Sequence, residues 1–239
     1  MQAKERIILA LDVATREEAL QLVKELKDHV GAFKIGMQLF NSTGPDIVKA
    51  VNDLGGRVFV DLKFHDIPNT VAEAGKVMTR LGCYMFNVHA AGGREMMRKL
   101  AEEVEKEAQN LGLIPPITLA VTVLTSISQR ELEEDMLIKG LQVEEVAVRW
   151  AVMAKEAGIK GVVCSPHEIR AIREACGPDF KIVTPGIRPA WSEKNDQKRI
   201  TTPKEALELG ADYMVIGRPI TKADNPKEAA QKIIKELEG

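Results

Sequence analysis

The chain has 239 residues, of which 45% are hydrophobic and 28% charged, with a formal net charge of -2 at pH 7. A net charge this close to zero does not favour binding to nucleic acid or to a membrane surface. No apolar run approaches the length needed to span a bilayer. The cysteines Cys83, Cys164 and Cys176 lack the spacing of a zinc or redox motif. They are typical of a reduced protein, and the N-terminus leaves no room for a signal peptide, so we expect a soluble, cytoplasmic protein.

Eight apolar segments along the chain have the composition of β-strands. Most are continuous apolar runs, which is typical of strands that are buried on both faces of a parallel sheet. The predicted strands are Ile7–Val13, Phe33–Met37, Val58–Phe64, Phe86–Ala90, Ile117–Thr125, Gly161–Ser165, Ile182–Ile187 and Tyr213–Gly217.

Amphipathic segments rich in Glu, Lys and Ala lie between these strands. The alternation of strand and helix predicts an α/β fold, and eight repeats favour a single-domain (β/α)8 barrel, the TIM barrel, over residues 1–239. A doubly wound open sheet is the alternative, although no G-x-G-x-x-G turn follows the first strand. The clearest predicted helices are Arg16–His29, Arg94–Asn110, Val143–Ala157 and Pro226–Leu237.

Charged residues stand where the first three predicted strands end, which is the edge of such a barrel that carries chemistry. Asp12 ends the first strand, Lys34 lies in the second, and the third contains Asp61 and Lys63. Strand alternation puts Asp61 and Lys63 on one face, and Asp66 follows closely enough to turn its carboxylate back toward them. The alternative interpretation is a salt bridge with only a structural role at the end of the strand. Charges at the ends of several neighbouring buried strands favour an active site.

The seventh and eighth predicted strands end in basic residues. Barrels often bind phosphate after these two strands, and here they supply Arg188 and the pair Gly217-Arg218. Gly217 allows close approach of the backbone to a ligand. The long polar loop 189–199 follows Arg188 and is predicted to be a lid, with Gln197 as a phosphate ligand on closure. The pattern favours a phosphate monoester.

Hydroxyl and imidazole groups end several other strands. Thr125 and Ser126 could present hydroxyls over the barrel mouth, before a short acidic helix predicted at Ser128–Asp135. His89 and Ser165 are interpreted as structural, since such residues often cap the following helix or bond a neighbouring carbonyl.

A lysine between two carboxylates favours its protonated form. Lys63 is therefore a poor Schiff-base nucleophile and a good proton donor or electrostatic anchor for a carbanion. Decarboxylation and enolisation both form such a carbanion, and the residues alone do not separate them. The sequence shows no zinc-ligand cluster, no Ser-His-Asp motif and no nucleotide P-loop.

The segment Asp61–Thr70, with the sequence DLKFHDIPNT, resembles the signature of the orotidine 5′-phosphate decarboxylase family in its short bacterial type. The pattern D-x-K-x-x-D is shared with sugar-phosphate enzymes of the same superfamily, whereas the flanking motifs make the resemblance specific. It extends over essentially the whole chain, in Leu11-Asp12, Phe33–Gly36, Val88–Gly93, Leu124–Ser126, Thr184–Arg188 and Val215–Arg218.

The resemblance implies conversion of orotidine 5′-monophosphate to UMP and CO2 in de novo pyrimidine biosynthesis, with no metal and no organic cofactor. It implies that Lys63 delivers the proton to C6 and that Asp61 sits near the departing carboxylate. Lys34 and Asp66 would complete the catalytic array, with Asp66 reaching into the partner's site of a homodimer. The substrate-binding positions that it implies are Asp12, Lys34, Asp61, Asp66, Thr70, Thr125, Ser126, Pro185, Arg188, Gln197, Gly217 and Arg218.

Two other functions compete with this one. A Mg-dependent sugar-phosphate decarboxylase or aldolase, of the 3-keto-gulonate-6-phosphate decarboxylase or hexulose-phosphate synthase type, would share D-x-K-x-x-D. Those enzymes generally hold Mg²⁺ with an acidic residue at the end of strand two, where this chain has Lys34. A non-catalytic nucleotide-binding barrel is the other alternative. Such a protein would need the phosphate-binding residues, but binding alone does not require a lysine flanked by carboxylates.

Overall fold

The computed structural model describes residues 1–192 and 201–239. Within these residues, eight strands pair in parallel and in chain order, and the last pairs with the first to close a barrel. The predicted barrel is therefore confirmed, and the open doubly wound sheet is wrong. The strands are β1 Ile7–Ala10, β2 Ala32–Gly36, β3 Val58–Phe64, β4 Met85–His89, β5 Ile117–Val121, β6 Gly161–Val163, β7 Lys181–Thr184 and β8 Tyr213–Ile216.

All eight predicted strands are present, but several are shorter than predicted at their C-terminal ends. The fifth was predicted to reach Thr125 and ends at Val121. Val123 beyond it is still buried, because it packs against the cluster of Leu132 and Val146 above the barrel. Buried apolar residues therefore continue beyond the last residue of β5 that pairs with a neighbouring strand. Composition alone does not show where the strand ends.

Helices cover the outside of the barrel. The four clearest helix predictions begin at the predicted residues, and the first ends three residues early, at Leu26. The short acidic helix after β5 is also present. Within the described residues the helices are α1 Arg16–Leu26, α2 Met37–Thr43, α3 Asp46–Asp53, α4 Pro68–Arg80, α5 Arg94–Leu111, α6 Gln129–Glu134, α7 Val143–Glu156, α8 Ile169–Cys176, α9 Pro203–Leu209, α10 Arg218–Thr221 and α11 Pro226–Glu238.

Local sequence explains where these helices start. Thr15 accepts a hydrogen bond from the Glu18 backbone N–H at 3.2 Å, and the Glu18 carboxylate accepts one from the Thr15 N–H at 3.3 Å. This reciprocal capping satisfies two backbone donors that the first turn of α1 leaves without helical partners. Ser128 and Glu131 form the same arrangement at α6.

Besides the small cluster of Val123, Leu132 and Val146, the core has two larger parts. One lies between the strands and the surrounding helices, and the other fills the inside of the barrel with apolar side chains, including Ile8, Phe59, Met85 and Leu119. Side chains two residues further along a strand point the same way. The barrel interior is therefore apolar at depth, and the side chains that follow at the C-terminal ends of β1 to β4 are polar.

The three thiols lie in this core, free and buried. Burial raises the pKa of Cys83 to about 12 and also raises the pKa of Cys164. A thiol that stays protonated is a weak nucleophile, so these cysteines behave as small hydrophobic groups. Among the helices that the structure describes, none is both long and apolar enough to cross a membrane.

Candidate active site

The charged residues at the ends of β1, β2 and β3 form one connected array. Lys63 Nζ lies 2.6 Å from Asp61 Oδ1, and Lys34 Nζ lies 3.5 Å from Asp61 Oδ2. Lys34 Nζ also donates to Asp12 Oδ1 at 3.2 Å. The carboxylate of Asp61, with 14% of its side chain exposed, thus lies between two ammonium groups at the mouth of the barrel.

The backbone that presents Lys63 differs from the one predicted. Lys63 has a φ of 53°, in the left-handed region that non-glycine residues rarely adopt. The pairing of β3 with β4 shifts between Val60 and Phe64, so this segment is a bulge. Lys63 thus contacts Asp61, as predicted, but from a distorted part of the strand and not from the regular strand that the prediction assumed.

Asn87 on β4 also belongs to this array and is not among the residues predicted from the sequence. Its Nδ2 donates to Asp61 Oδ1 at 2.7 Å, and its Oδ1 accepts from the backbone N–H of Lys63 at 2.8 Å. The signal that could have found it is a single amide in the otherwise apolar segment Met85–Val88.

The surroundings of Asp61 favour its ionised form. Burial raises the pKa of this carboxyl, but the charges of Lys34 and Lys63 and the hydrogen bonds from Lys63 and Asn87 together lower it below its usual value. Asp61 is therefore an anion at neutral pH, and it holds both ammonium groups in place.

A cavity of about 220 Å³ opens beside this array. One wall carries Lys34, Asp61 and Lys63, and Thr125 and Pro185 contribute to its lining. Much of the remaining lining is apolar and includes Val121, Val123, Leu124, Val163 and Val215. A ligand here would meet both charged and apolar groups.

Asp66 and Thr70 do not belong to the connected array of charged residues within one chain. The Asp66 carboxylate accepts from the Ile67 backbone N–H at 2.6 Å, at the entrance to α4, and its side chain is exposed. Thr70 is exposed on the first turn of the same helix. Among the described residues Asp66 forms no ion pair with Lys34 or Lys63, so its predicted approach to these lysines is not seen within one chain.

The predicted phosphate end lies at β7 and β8, which are neighbours in the barrel. Arg188 is buried, and its backbone N–H donates to the Thr201 carbonyl at 3.0 Å, whereas Arg218 is exposed at the start of α10. A Cβ on Gly217 would lie 3.9 Å from Asp12 Oδ2, so this end adjoins the charged array through β1. Gln197 and residues 193–199 of the predicted lid lie outside the described residues.

The remaining residues predicted at strand ends differ in their surroundings. Ser165 accepts from the His167 backbone N–H at 3.4 Å and caps a short 3-10 helix, as predicted. His89 does not cap the helix that follows it, and its ring instead lies 5.6 Å from the ring of His65. Burial, followed by the charges of His65 and Lys63, lowers the pKa of His89. Ser126 is exposed in the loop after β5.

Comparison with known proteins places this geometry in a family. A family model described as orotidine 5′-phosphate decarboxylase / HUMPS family matches residues 5–233. The chain belongs to this family. It is 72% identical over 238 residues to the orotidine 5′-phosphate decarboxylase of Syntrophomonas wolfei subsp. wolfei, with 100% of both chains covered.

Two further relatives have the same name. The orotidine 5′-phosphate decarboxylase of Moorella thermoacetica is 53% identical over 238 residues, with 100% of this chain and 94% of that one covered. The crystal structure of orotidine 5′-phosphate decarboxylase from Lactobacillus acidophilus superposes with a TM-score of 0.86 at 39% identity, covering 98% of this chain and 99% of that one. The family therefore matches in both sequence and fold.

The described residues contain no group of three or more His, Cys, Asp or Glu side chains that could hold a metal ion. At the end of β2, where a metal-dependent sugar-phosphate relative would place a carboxylate, this chain has the ammonium of Lys34. Its contacts with Asp12 and Asp61 occupy the carboxylates that a cation would otherwise approach.

Proposed function

We propose that this chain converts orotidine 5′-monophosphate to UMP and CO2 with Lys63 as the proton donor to C6. The chain is an orotidine 5′-phosphate decarboxylase, a carboxy-lyase, by its family and by its 72% identity to a relative of that name. The observation that supports the chemistry best is the ammonium of Lys63, held 2.6 Å from the Asp61 carboxylate on the wall of the cavity.

The reaction breaks the bond between C6 and the carboxylate carbon. The bonding electron pair stays on C6 as a vinyl-type anion that the pyrimidine ring delocalises poorly. An ammonium fixed beside C6 stabilises this charge without reorganising during the reaction. Lys63 then transfers a proton to C6 to form UMP, and the neutral amine regains a proton from solvent.

Asp61 and Lys34 complete the catalytic array in this proposal. Asp61 lies near the departing carboxylate and holds the Lys63 ammonium, while Lys34 bridges Asp61 and Asp12. Lys34 and Asp12 would also contact the ribose. Each charged group in this network lies next to a group of opposite charge. The network therefore keeps its geometry when substrate displaces water.

The other end of the substrate would bind at β7 and β8. Arg188, Gly217 and Arg218 would hold the phosphate, because a guanidinium pairs well with phosphate oxygens and the two strands are adjacent. Pro185, Thr125 and Ser126 would contact the ribose and base. Binding energy from the phosphate, remote from C6, would hold the ring in its reactive position.

We also infer that the enzyme is a homodimer in which Asp66 reaches the partner's active site, accompanied by Thr70. The exposure of both residues at the start of α4 supports this, as does the absence, among the described residues, of an ion pair between Asp66 and a lysine of its own chain. We place the enzyme in the cytoplasm, since its three thiols are unpaired and buried. Its proposed product, UMP, places it in pyrimidine biosynthesis. One domain over residues 1–239 fits a single barrel whose strands run from Ile7 to Ile216.

The test is a spectrophotometric assay of the purified protein with orotidine 5′-monophosphate, with and without EDTA. We expect conversion to UMP at a rate that EDTA does not change. Lys63→Ala, purified in the same way, controls for a contaminating host enzyme. An inactive, folded and dimeric sample that instead acts on a sugar phosphate with Mg²⁺ would overturn the proposal in favour of the metal-dependent alternative.

A further inference from the structure

Asn87 is a buried amide at the centre of the charged array. Its side chain lies on β4 and the residue is 1% exposed. A buried amide needs hydrogen-bond partners, because an unsatisfied polar group costs free energy that an apolar residue would not. The partners of Asn87 are the backbone of Lys63 and the carboxylate of Asp61.

The bulge in β3 explains the first of these contacts. Val60 pairs with Phe86 and Phe64 pairs with Val88, so four steps along β3 face two steps along β4. The residues between are displaced from the regular pairing, and Lys63 adopts a φ of 53°. Its backbone N–H donates to a side chain, the Oδ1 of Asn87, at 2.8 Å. Asn87 thus provides an acceptor where the ladder of the sheet is interrupted.

The second contact orients the carboxylate. Asn87 Nδ2 and Lys63 Nζ both donate to Asp61 Oδ1, at 2.7 and 2.6 Å, and Lys34 approaches Oδ2. An amide can accept from an N–H and donate to a carboxylate at the same time. A carboxylate at position 87 could do so only when protonated, and an alkyl side chain could do neither.

We infer that Asn87 is a positioning residue, which fixes the backbone of Lys63 and the carboxylate of Asp61 so that the ammonium meets C6. This inference rests on the proposed decarboxylation for its catalytic meaning. Asn87 acts through its two neighbours, so its loss should affect the chemical step more than the binding of the product. A misplacement of a catalytic group by about 1 Å can reduce a rate about 100-fold.

The first experiment compares Asn87→Leu with the wild type in kcat, KM and affinity for UMP. We expect kcat to fall by about 100-fold while the Kd of UMP changes by less than about threefold. Thr118→Val is the matched control, since it removes another buried polar group from a strand, one that accepts from the Lys160 backbone N–H. We expect the control to retain wild-type kcat. An Asn87→Leu enzyme that is folded and has wild-type kcat would overturn the inference.

The second experiment uses Asn87→Asp and the pH dependence of kcat. When protonated, this side chain can accept from Lys63 and donate to Asp61, and when ionised it repels the Asp61 carboxylate. We expect activity relative to wild type to recover as the pH falls toward 5. A simple packing role would give a constant ratio across the pH range, and that result would contradict the inference.

The contact itself can be measured without turnover. The Lys63 amide proton in the wild type should exchange slowly with solvent, and Thr118→Val should leave that protection unchanged. Rapid exchange of this amide in the folded wild type would overturn the inference even if every Asn87 variant unfolded. If the wild type exchanges slowly at Lys63 but does not decarboxylate orotidine 5′-monophosphate, the proposed function fails while the positioning contact stands.

Discussion

The ammonium of Lys63 lies 2.6 Å from Asp61 and faces the cavity, where it can both stabilise an anion and deliver a proton. We expect Lys63→Ala to reduce kcat by about 1000-fold or more, because it removes both contributions at once. Circular dichroism and UMP binding should show that the barrel is intact. Turnover near the wild-type rate in this variant would exclude Lys63 as the proton donor.

Arg218 supplies charge at the opposite end of the proposed substrate. Loss of a charged hydrogen bond to phosphate should raise the Kd of UMP by about 10- to 100-fold in Arg218→Ala. Calorimetric titration measures this change, and uridine, which lacks the phosphate, is the matched control ligand. Equal losses for UMP and uridine would remove Arg218 from the phosphate site.

His89 predicts a dependence of stability on pH. Burial, together with the charges of His65 and Lys63, lowers its pKa in the folded protein. The unfolded chain therefore binds more protons as the pH falls below about 6.5, and the free energy of unfolding decreases in that window. Urea unfolding of wild type and His89→Gln at pH 5 and 7.5 tests this. We expect a smaller pH dependence in the variant, and an equal dependence would contradict the assignment.

Among the secondary-structure elements, β3 carries the unusual geometry. Its pairing with β4 is interrupted by a bulge between Val60 and Phe64, and Lys63 in this bulge has a positive φ that costs a non-glycine residue free energy. The surrounding contacts from Asn87 and Asp61 hold this conformation. The bulge thus directs a charged side chain into the mouth of the barrel, which a regular strand would present differently.

This geometry predicts an inverted order of stability for two substitutions. Lys63→Gly should be more stable than Lys63→Ala by ~0.5–1 kcal/mol, because glycine adopts a positive φ without a Cβ penalty. Midpoints of urea unfolding at equal m-values give the difference. Lys34 supplies the matched pair, since it is not among the positive-φ residues, and there alanine should be the more stable of the two. The same order at both positions would show that the bulge is not strained.

At the scale of the whole molecule, the proposed homodimer makes each active site depend on two chains. Asp66→Asn and Lys63→Ala should each be inactive alone, because every site in either homodimer lacks one catalytic group. After subunit exchange, a mixed dimer contains one intact site, formed by Lys63 of one chain and Asp66 of the other. An equal mixture should recover about a quarter of the wild-type activity, since about half of the dimers are mixed.

The assay of the mixture needs two controls. Mass spectrometry of the mixture should show that subunits have exchanged, and Lys63→Ala mixed with itself should stay inactive. Exchanged but inactive mixtures would contradict the proposal that Asp66 acts across the interface.

Much of this protein follows from its sequence alone. Eight apolar segments that alternate with amphipathic ones predict a closed parallel barrel, because each strand must be buried on both faces and each helix on one. The C-terminal ends of the strands then meet at one edge, so Asp12, Lys34, Asp61 and Lys63 could be predicted to lie together. These inferences need only periodicity and residue type, which are local properties of the chain.

Tertiary structure decided the details on which the chemistry depends. The register between β3 and β4 places an interruption at Lys63, turns its backbone into the left-handed region and makes Asn87 its partner. Beyond the strand, the Asp66 carboxylate accepts from the backbone N–H of Ile67, and among the described residues it forms no ion pair with the lysines of its own chain. Residue 87 is 24 positions from Lys63, so their contact depends on how two strands pair. Pairing register and the partners of buried polar groups arise from contacts between distant segments, and no local pattern in the sequence contains them.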